Sequence, residues 1–318
     1  MTEATVISEP FAFVFPGQGS QFVGMGRALS ESSAVARETL RQADDILGFD
    51  LSQVMINGPA ETLEDTINAQ PAILAVSIGA LRAFNDAAPR LTPAAVAGHS
   101  LGEFSALVAA DVISFEVALR LVRERGRLMK EAGSTSPGGM AAILGLDDDQ
   151  ISAVCERASV DGVLVAANRN CPGQIVISGE VTALETGMAL AKAAGAKRVA
   201  RLGVSIASHS PLMASANASF NQLLESTTFD DPRIPVIGNV GARPIKTAEG
   251  IRSELRLQME SPVNWTGSIE HIVATGISTF VEVGPGNVLS GLIRRIDRSA
   301  EISSPASLGL GLPDNAST

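Results

Sequence analysis

Short apolar runs alternate with longer segments of helical periodicity in the first third of the chain. Residues 11–15 and 94–97 are uninterrupted apolar runs of the length typical of a buried strand. Apolar residues recur at helical spacing in the segments between and after these runs, at residues 33–47, 70–84, 101–110 and 115–132. Parallel strands need a long crossover, usually a helix, whereas antiparallel strands can be joined by a short hairpin. The alternation therefore predicts an α/β fold in which helices cover a largely parallel sheet.

The middle of the chain has a different pattern, which begins after a break rich in Gly, Ser, Thr and Pro at residues 131–139. Strands are predicted at residues 140–144, 163–167, 174–178 and 197–202, and helices at residues 147–158 and 181–194. A turn at residues 168–173 separates the two middle strands. This order of strand, helix, strand, strand, helix, strand is that of the ferredoxin-like split βαβ unit.

The two patterns predict a discontinuous domain organisation. We expect a small ferredoxin-like subdomain at residues 135–203, inserted into a catalytic core that comprises residues 1–134 and 204–298. Residues 299–318 are rich in Ser, Pro, Gly and Ala, and we expect them to form a disordered tail.

Composition narrows the classes of protein to which the chain can belong. Only 18% of the 318 residues are charged, against a usual value of about 25%, and the net charge of −10 argues against a nucleic-acid binder. The two cysteines, Cys155 and Cys171, are too few for a disulfide framework. No apolar run approaches the roughly 18 residues of a membrane span, and residues 1–10 contain no cation of the kind that begins a signal peptide. The sequence therefore predicts a cytoplasmic protein with no membrane or nucleic-acid partner.

A candidate nucleophile lies directly after the second predicted strand. Residues 98–102, Gly-His-Ser-Leu-Gly, match the G-x-S-x-G nucleophile elbow, and the required strand and helix flank them. Small residues are needed on either side of Ser100 because the turn is tight and strained. The alternative interpretation is a glycine-flanked turn that contains an incidental serine, but the strand and helix on either side favour the nucleophile.

A serine nucleophile needs a base, and the chain has three histidines. His99 is adjacent to Ser100 on a sharp turn, so we expect it to pack or to form a hydrogen bond elsewhere. His271 lies in a helical pattern, which is typical of a half-buried histidine. His209 follows the last strand of the predicted insert, where the chain returns to the core and where a pocket is expected. His209 is therefore the candidate base by elimination.

Cofactor and metal sites are not indicated. The glycine-rich segments that begin at Gly17 and Gly284 both lack the third glycine of G-x-G-x-x-G, and no phosphate-binding G-x-x-x-x-G-K-[ST] motif occurs. Cysteine and histidine do not recur at metal-ligand spacing. The residues predict acyl transfer through an acyl-serine, without a cofactor or a metal.

Six segments together resemble the malonyl-CoA:acyl-carrier-protein transacylases of fatty-acid and polyketide synthesis. They are residues 13–21, 98–103, 123–127, 168–179, 208–213 and 281–286, and they follow the family's order over nearly the whole chain. The resemblance implies an α/β-hydrolase-like core with a ferredoxin-like insert. It also implies that malonyl-CoA is the acyl donor and that an acyl carrier protein is the acceptor.

The resemblance also assigns roles to individual residues. It implies that Ser100 is the nucleophile, that His209 is the base, and that the backbone carbonyl of Gln258 orients the imidazole. It implies further that the backbone N–H groups of Gln18 and Leu101 form an oxyanion hole.

For the acyl group itself, the resemblance implies that Arg125 binds the malonyl carboxylate and that Met129 and Asn170 line the acyl pocket. On the residues alone, each has a plainer interpretation: a surface cation on an arginine-rich helix, a core methionine and a turn asparagine. Ser208 stands where many malonyl-specific relatives carry phenylalanine, which leaves more room for a branched acyl group.

Four other functions are also compatible with parts of the sequence pattern. Within the same chemistry they are the acyltransferase component of malonate decarboxylase and a trans-acting polyketide acyltransferase. From other classes they are a serine hydrolase and a catalytically inactive binding protein. Arg125 argues against a general esterase, because a buried cation suits only an anionic acyl chain.

Overall fold

The computed structural model describes residues 7–307, and within them ten β-strands form two separate sheets. The strands are β1 (Phe11–Phe15), β2 (Ala95–Gly98), β3 (Gly138–Leu144), β4 (Leu164–Cys171), β5 (Gln174–Glu180), β6 (Arg198–Arg201), β7 (Val236–Ile237), β8 (Pro244–Ile245), β9 (Thr279–Glu282) and β10 (Glu301–Ser303). The helices are α1 (Arg27–Ser32), α2 (Ala34–Leu47), α3 (Leu51–Asn57), α4 (Ala60–Glu64), α5 (Thr66–Ala87), α6 (Gly102–Ala109), α7 (Phe115–Thr135), α8 (Asp148–Ala158), α9 (Val181–Ala193), α10 (Ala214–Ser226), α11 (Ala248–Gln258), α12 (Trp265–Ala274) and α13 (Val288–Ile296).

The larger sheet has six strands in the order β10-β9-β1-β2-β7-β8. All of its neighbouring pairs are parallel except β7 and β8. Every residue of β1, β2 and β9 is buried, as expected for strands that are covered by helices on both faces. The predicted α/β architecture with a parallel sheet is confirmed.

Helix α5 is the central buried helix of this layer. By length and composition alone it could cross a membrane, but 83% of its apolar 18-residue stretch is buried inside the protein. Pro71 interrupts its hydrogen bonding because proline has no N–H to donate to the carbonyl of Ile67. Arg123 Nη1 on α7 donates to that carbonyl at 3.1 Å, so the acceptor is satisfied from the neighbouring helix.

The smaller sheet is antiparallel, with the strand order β4-β5-β3-β6, and it is built by a continuous stretch of chain between α7 and the return to the larger sheet. Asp147 begins α8 with a capping box, since its side chain accepts from the Gln150 N–H and the Gln150 side chain accepts from the Asp147 N–H. A separate apolar cluster lies between this sheet and its helices α8 and α9.

Three sequence predictions differ from the structure in position. Helix α7 continues to Thr135, so the break begins later than residue 131. Residues 168–171 are not a turn but the end of β4, which has two register shifts against β5. They stay extended because the Val263 N–H donates to the carbonyl of Ala167 and the Arg169 N–H donates to the carbonyl of Val263. The disordered tail predicted at 299–318 is wrong for residues 301–303, which pair with β9 as an edge strand, whereas residues 308–318 lie outside the described part.

The arrangement of strands places the candidate residues at one edge of the larger sheet. The carboxyl ends of β1 and β2 lie side by side, with Phe15 opposite Gly98, and the chain after each strand turns at that edge. The smaller sheet is joined there through a bridge between Asn168 and Val263. A cleft outside the carboxyl ends of parallel strands is the usual ligand site of such sheets.

Candidate active site

The turn between β2 and α6 holds Ser100 in a strained conformation. Its φ is 51°, in the left-handed region that few residues other than glycine adopt. Glycine is required on both sides: a Cβ at Gly98 would lie 1.9 Å from the carbonyl carbon of Gly102, and a Cβ at Gly102 would lie 2.1 Å from the carbonyl oxygen of Phe15. The geometry is that of the predicted strand–turn–helix elbow.

Asn239, in the segment between β7 and β8, fixes this turn from outside. Its Oδ1 accepts from the Ser100 N–H at 2.6 Å, and its Nδ2 donates to the carbonyl of Gly98 at 2.7 Å. One buried amide thus pairs with two backbone groups where the chain leaves β2 and enters the strained residue. Sequence reasoning missed Asn239, because nothing local in residues 236–245 indicates contact with a turn 139 residues away.

Ser100 and His209 are in hydrogen-bond contact. The distance from Ser100 Oγ to His209 Nε2 is 2.8 Å. The other ring nitrogen, Nδ1, lies 2.8 Å from the backbone oxygen of Gln258 and 3.1 Å from that of Ser261. A carbonyl oxygen can only accept, so Nδ1 carries the proton and Nε2 is left as the acceptor for the serine hydroxyl. The imidazole is thus oriented by backbone carbonyls and not by a carboxylate.

His209 is buried and electrostatically biased towards its neutral form. Burial, followed by the positive charge of Arg125, lowers the pKa of His209 to about 3. The neutral imidazole is the form that can accept a proton. The imidazole of His209 is therefore able to accept a proton over the whole physiological pH range.

This pKa predicts an unusual pH profile. An ordinary histidine base would lose half its activity near pH 6.5, as protonation removes its acceptor. Because the pKa of His209 is lowered to about 3, kcat/KM for the acyl donor should stay level as the pH falls from 8 to about 5. The measurement is a pH profile of kcat/KM, with the His209 imidazole followed by NMR in parallel. An acid limb near pH 6.5 that coincides with the imidazole titration would contradict this environment.

Arg125 projects from α7 into the same site. It is 2% exposed, and its Nη2 donates to Ser100 Oγ at 3.2 Å and to Gln258 Oε1 at 2.9 Å, while Nη1 donates to Gln70 Oε1 at 2.8 Å. Its partners are neutral oxygens, and it forms no ion pair with the carboxylates of residues 7–307. Burial lowers the pKa of Arg125 to about 10, so the guanidinium stays charged at neutral pH. A buried cation without a counter-ion is a site for an anionic group.

The Gln258 side chain, in addition to its backbone carbonyl, reaches the centre of the site. Its Nε2 donates to the carbonyl of Ser100 at 3.1 Å and to a carboxylate oxygen of Glu103. Glu103 lies in the first turn of α6, and burial together with the nearby Glu254 raises its pKa. Sequence reasoning missed Glu103 and Gln70, although an acid in a helix that is otherwise small and apolar was an available signal for Glu103.

Of the two predicted oxyanion-hole residues, Leu101 belongs to the elbow and Gln18 lies beside it. Gly17 packs so closely against it that a Cβ would stand 2.3 Å from the carbonyl oxygen of His99, which brings the neighbouring Gln18 to the site. The hydrogen bonds described for residues 7–307 include no acceptor for the backbone N–H of Gln18 or for that of Leu101. Two unpaired N–H donors are therefore present beside Ser100.

A cavity of about 410 Å³ joins these groups. Its lining includes Gln18, Ser100, Arg125, Met129, Asn170, Ser208 and His209. All the site residues predicted from the sequence line this cavity except two: Gln258, which forms hydrogen bonds to His209 and Arg125, and Leu101, which lies at the start of α6.

The other two histidines have different surroundings. His99 Nε2 lies 2.8 Å from Asn170 Oδ1, and its ring stands edge-on to Trp265 at 5.6 Å, so it is a hydrogen-bonding and packing residue as expected. His271 lines a separate cavity beside Ala95, at the amino end of β2 and thus at the opposite edge of the sheet from Ser100. Within residues 7–307, His, Cys, Asp and Glu form no cluster suited to a metal ion.

Comparison with known proteins gives a consistent result. The family model for the acyl transferase domain matches residues 12–317. The malonyl CoA-acyl carrier protein transacylase of Bacillus subtilis is 44% identical over 305 residues, which are 95% of this chain and 96% of that protein. The transacylase of Coxiella burnetii superposes with a TM-score of 0.93 at 40% identity and covers 96% of both chains.

A third relative was solved with a partner. It is a malonyl-transacylase in complex with a type II polyketide-synthase acyl carrier protein, with a TM-score of 0.92 and 42% identity, covering 96% of this chain and 99% of that one. The family model matches nearly the whole sequence, and curated malonyl CoA-acyl carrier protein transacylases are 42–46% identical over 92–98% of their own length. The chain belongs to the acyl transferase family, and within it to the malonyl-CoA:acyl-carrier-protein transacylases.

Proposed function

We propose that the protein transfers a malonyl group from malonyl-CoA to the phosphopantetheine thiol of an acyl carrier protein, through a malonyl ester of Ser100. One observation carries this proposal: the buried guanidinium of Arg125 has no counter-ion among residues 7–307, and it lies 3.2 Å from the oxygen of a serine that is paired with a neutral histidine. A malonyl thioester has both a carbonyl for the serine and a carboxylate for the guanidinium.

In the first half-reaction, Ser100 Oγ attacks the thioester carbon while His209 Nε2 accepts the hydroxyl proton. The carbonyl oxygen becomes an oxyanion, for which the unpaired N–H groups of Gln18 and Leu101 are suitable donors. Collapse of this intermediate breaks the carbon–sulfur bond. The proton on His209 passes to the leaving sulfur, and CoA departs as the free thiol, which leaves the malonyl ester on Ser100.

The second half-reaction reverses these steps with a different thiol. The carrier's phosphopantetheine sulfur gives its proton to His209 and attacks the ester carbon, and the proton then returns to Ser100 Oγ as the ester bond breaks. The imidazolium that forms in each step is stabilised by the carbonyls of Gln258 and Ser261, which accept from Nδ1. No proton or electron is gained or lost over the cycle, so the reaction requires no cofactor.

Met129 and Asn170 shape the acyl pocket in this proposal. Met129 is buried on α7 one turn after Arg125, and its sulfur faces the amide of Gln70. Asn170 is held at the end of β4 by His99. Ser208 lines the cavity beside His209, so the pocket has more room than a phenylalanine there would leave.

We also assign the finer architecture and the location. The parallel sheet with its elbow after β2 supports an α/β-hydrolase-like core of residues 1–134 and 204–298, extended by β10. The antiparallel order β4-β5-β3-β6, with both helices packed on the sheet, supports a ferredoxin-like insert at residues 135–203. The buried free thiols of Cys155 and Cys171 support a reducing, cytoplasmic location.

The test is an assay that offers the enzyme malonyl-CoA with either the holo or the apo form of an acyl carrier protein. The proposal requires malonylation of the holo carrier, to an extent that rises with the ratio of malonyl-CoA to free CoA, and none of the apo carrier, which lacks the thiol. Release of free malonate without labelling of any holo carrier would identify a hydrolase and overturn the proposal.

A further inference from the structure

A buried acid lies beside the elbow but takes no part in the two half-reactions. Glu103 is 1% exposed, and both of its carboxylate oxygens accept hydrogen bonds: Oε1 from the Asn239 N–H at 3.3 Å and Oε2 from the side-chain amide of Gln258. It forms no ion pair among residues 7–307. Burying an acid is costly, so a fold that retains one here in place of an apolar residue needs a reason.

Gln258, which donates to Glu103, also forms a hydrogen bond with Arg125. The amide of Gln258 lies between a buried guanidinium and a buried carboxyl group, with its oxygen accepting from Arg125 Nη2 at 2.9 Å and its nitrogen donating to Glu103. Hydrogen bonds that share one amide polarise each other, so the bond to Glu103 and the bond from Arg125 strengthen one another. Glu103 and Arg125 are thus connected through one neutral group.

The orientation of this amide decides where the guanidinium sits. If the amide were reversed, its NH₂ group would face the N–H donors of Arg125 and its oxygen would face the carboxylate of Glu103. Arg125 would then lose one of the acceptors that hold its Nη2 beside Ser100 Oγ. The amide nitrogen has two acceptors in the observed orientation, the carbonyl of Ser100 and the carboxyl group of Glu103, and Glu103 is the one whose side chain can be changed to weaken the preference against this reversed state.

We propose that Glu103 is a positioning residue for substrate selection: it fixes the amide of Gln258, which in turn holds the guanidinium of Arg125 where the carboxylate of the acyl group must bind. The inference rests on the proposed malonyl transfer. It extends that function by assigning part of the preference for a carboxylate-bearing acyl group to Glu103, which does not contact the substrate but acts on Arg125 through Gln258. His209 depends on the backbone of Gln258 and not on its side chain, so the proton-transfer step should be largely insensitive to Glu103.

Glu103→Gln is the direct test, because glutamine has one acceptor oxygen where two donors, the Asn239 N–H and the Gln258 amide, need one each. We expect kcat/KM for malonyl-CoA to fall about ten- to hundredfold, the usual effect of losing a hydrogen bond to a charged group. Acetyl-CoA has no carboxylate to place, so its kcat/KM should change by about twofold or less. An equal fall for both donors would show a structural role only and would overturn the proposal.

Three further variants distinguish an effect of Glu103 on the choice of acyl donor from an effect on the stability of the fold. Glu254→Gln removes the neighbouring carboxylate, which accepts from the Val240 N–H and not from Gln258, and it should leave the ratio of the two donors unchanged. In an Arg125→Ala background, Glu103→Gln should change malonyl transfer by about twofold or less, because the group through which Glu103 acts is gone. If Glu103→Gln does not fold, Glu103→Asp keeps both oxygens and should lower the malonyl-to-acetyl ratio in the same direction.

The outcomes distinguish this inference from the function on which it rests. Failure of the wild-type enzyme to malonylate Ser100 would end the proposed function. Either of two results, together with normal malonylation by the wild type, would contradict the inference and leave the proposed function intact. One is an unchanged ratio of kcat/KM for malonyl-CoA to that for acetyl-CoA in both folded Glu103 variants. The other is a fall in malonyl transfer on Glu103→Gln that is as large in the Arg125→Ala background as in the wild type.

Discussion

Arg125→Ala is expected to lower kcat/KM for malonyl-CoA roughly 30- to 4,000-fold. This fall corresponds to about 2–5 kcal/mol of lost binding free energy in the transition state, the usual loss when one partner of a buried charge pair is removed. The malonyl carboxylate would then enter a buried site that has lost the cation closest to Ser100. Acetyl-CoA carries no such charge, and its transfer should be retained or raised. Removal of the guanidinium also removes one of the causes that lower the pKa of His209, which makes the imidazole a stronger base.

The matched control is Arg123→Ala, on the same helix. Arg123 bonds to the carbonyl of Ile67 and to the side chain of Asn68, and it does not line the cavity. This variant should unfold at a lower temperature but keep the preference for malonyl-CoA. Arg125→Lys should recover only part of the malonyl rate, since an ammonium cannot reproduce the planar donors of a guanidinium. Equal losses for malonyl-CoA and acetyl-CoA in Arg125→Ala would show that Arg125 does not select the acyl group.

His209→Ala is expected to slow acylation of Ser100 about 10²- to 10⁴-fold, the range typical for the loss of a general base. The serine hydroxyl would lose the only imidazole acceptor within hydrogen-bond distance among residues 7–307. Both malonyl-CoA and acetyl-CoA should be affected, which distinguishes this variant from Arg125→Ala. Single-turnover release of CoA measures the effect directly.

His271→Ala serves as the control for His209→Ala. His271 lies at the opposite edge of the larger sheet, so its replacement should leave the acylation rate unchanged and act only on stability. Near-normal acylation by His209→Ala together with an inactive His271→Ala would reverse the assignment of the base.

Local patterns were sufficient for the parts of the site that lie close together in sequence. The elbow could be predicted because strand, turn and helix are contiguous, and the close contact that requires glycine at position 98 is with Gly102 of the same turn. His209 could be found because the chain has only three histidines. The alternation of strands and helices was sufficient to predict the parallel sheet.

Long-range contacts explain what could not be predicted. Asn239 and Glu103 act through hydrogen bonds that join residues 136 or more positions apart, and no local pattern encodes such a contact. The end of β4 looked like a turn because Asn168 and Asn170 are typical turn residues. They are held in an extended strand by the backbone of Val263 and by the ring of His99. Arg125 could not be told apart from the other arginines of α7 by sequence, because only the packing of the helix determines which of its faces is buried.

The malonyl-serine intermediate is most directly tested by mass spectrometry of the intact enzyme after incubation with malonyl-CoA in the absence of a carrier protein. The mass should rise by one malonyl group, the label should map to the peptide that contains Ser100, and addition of a holo carrier should remove it. Ser100→Ala should acquire no label even though Arg125 remains in place to bind the donor. A stable adduct on Ser100→Ala, or a wild-type label on any other residue, would contradict catalysis through Ser100.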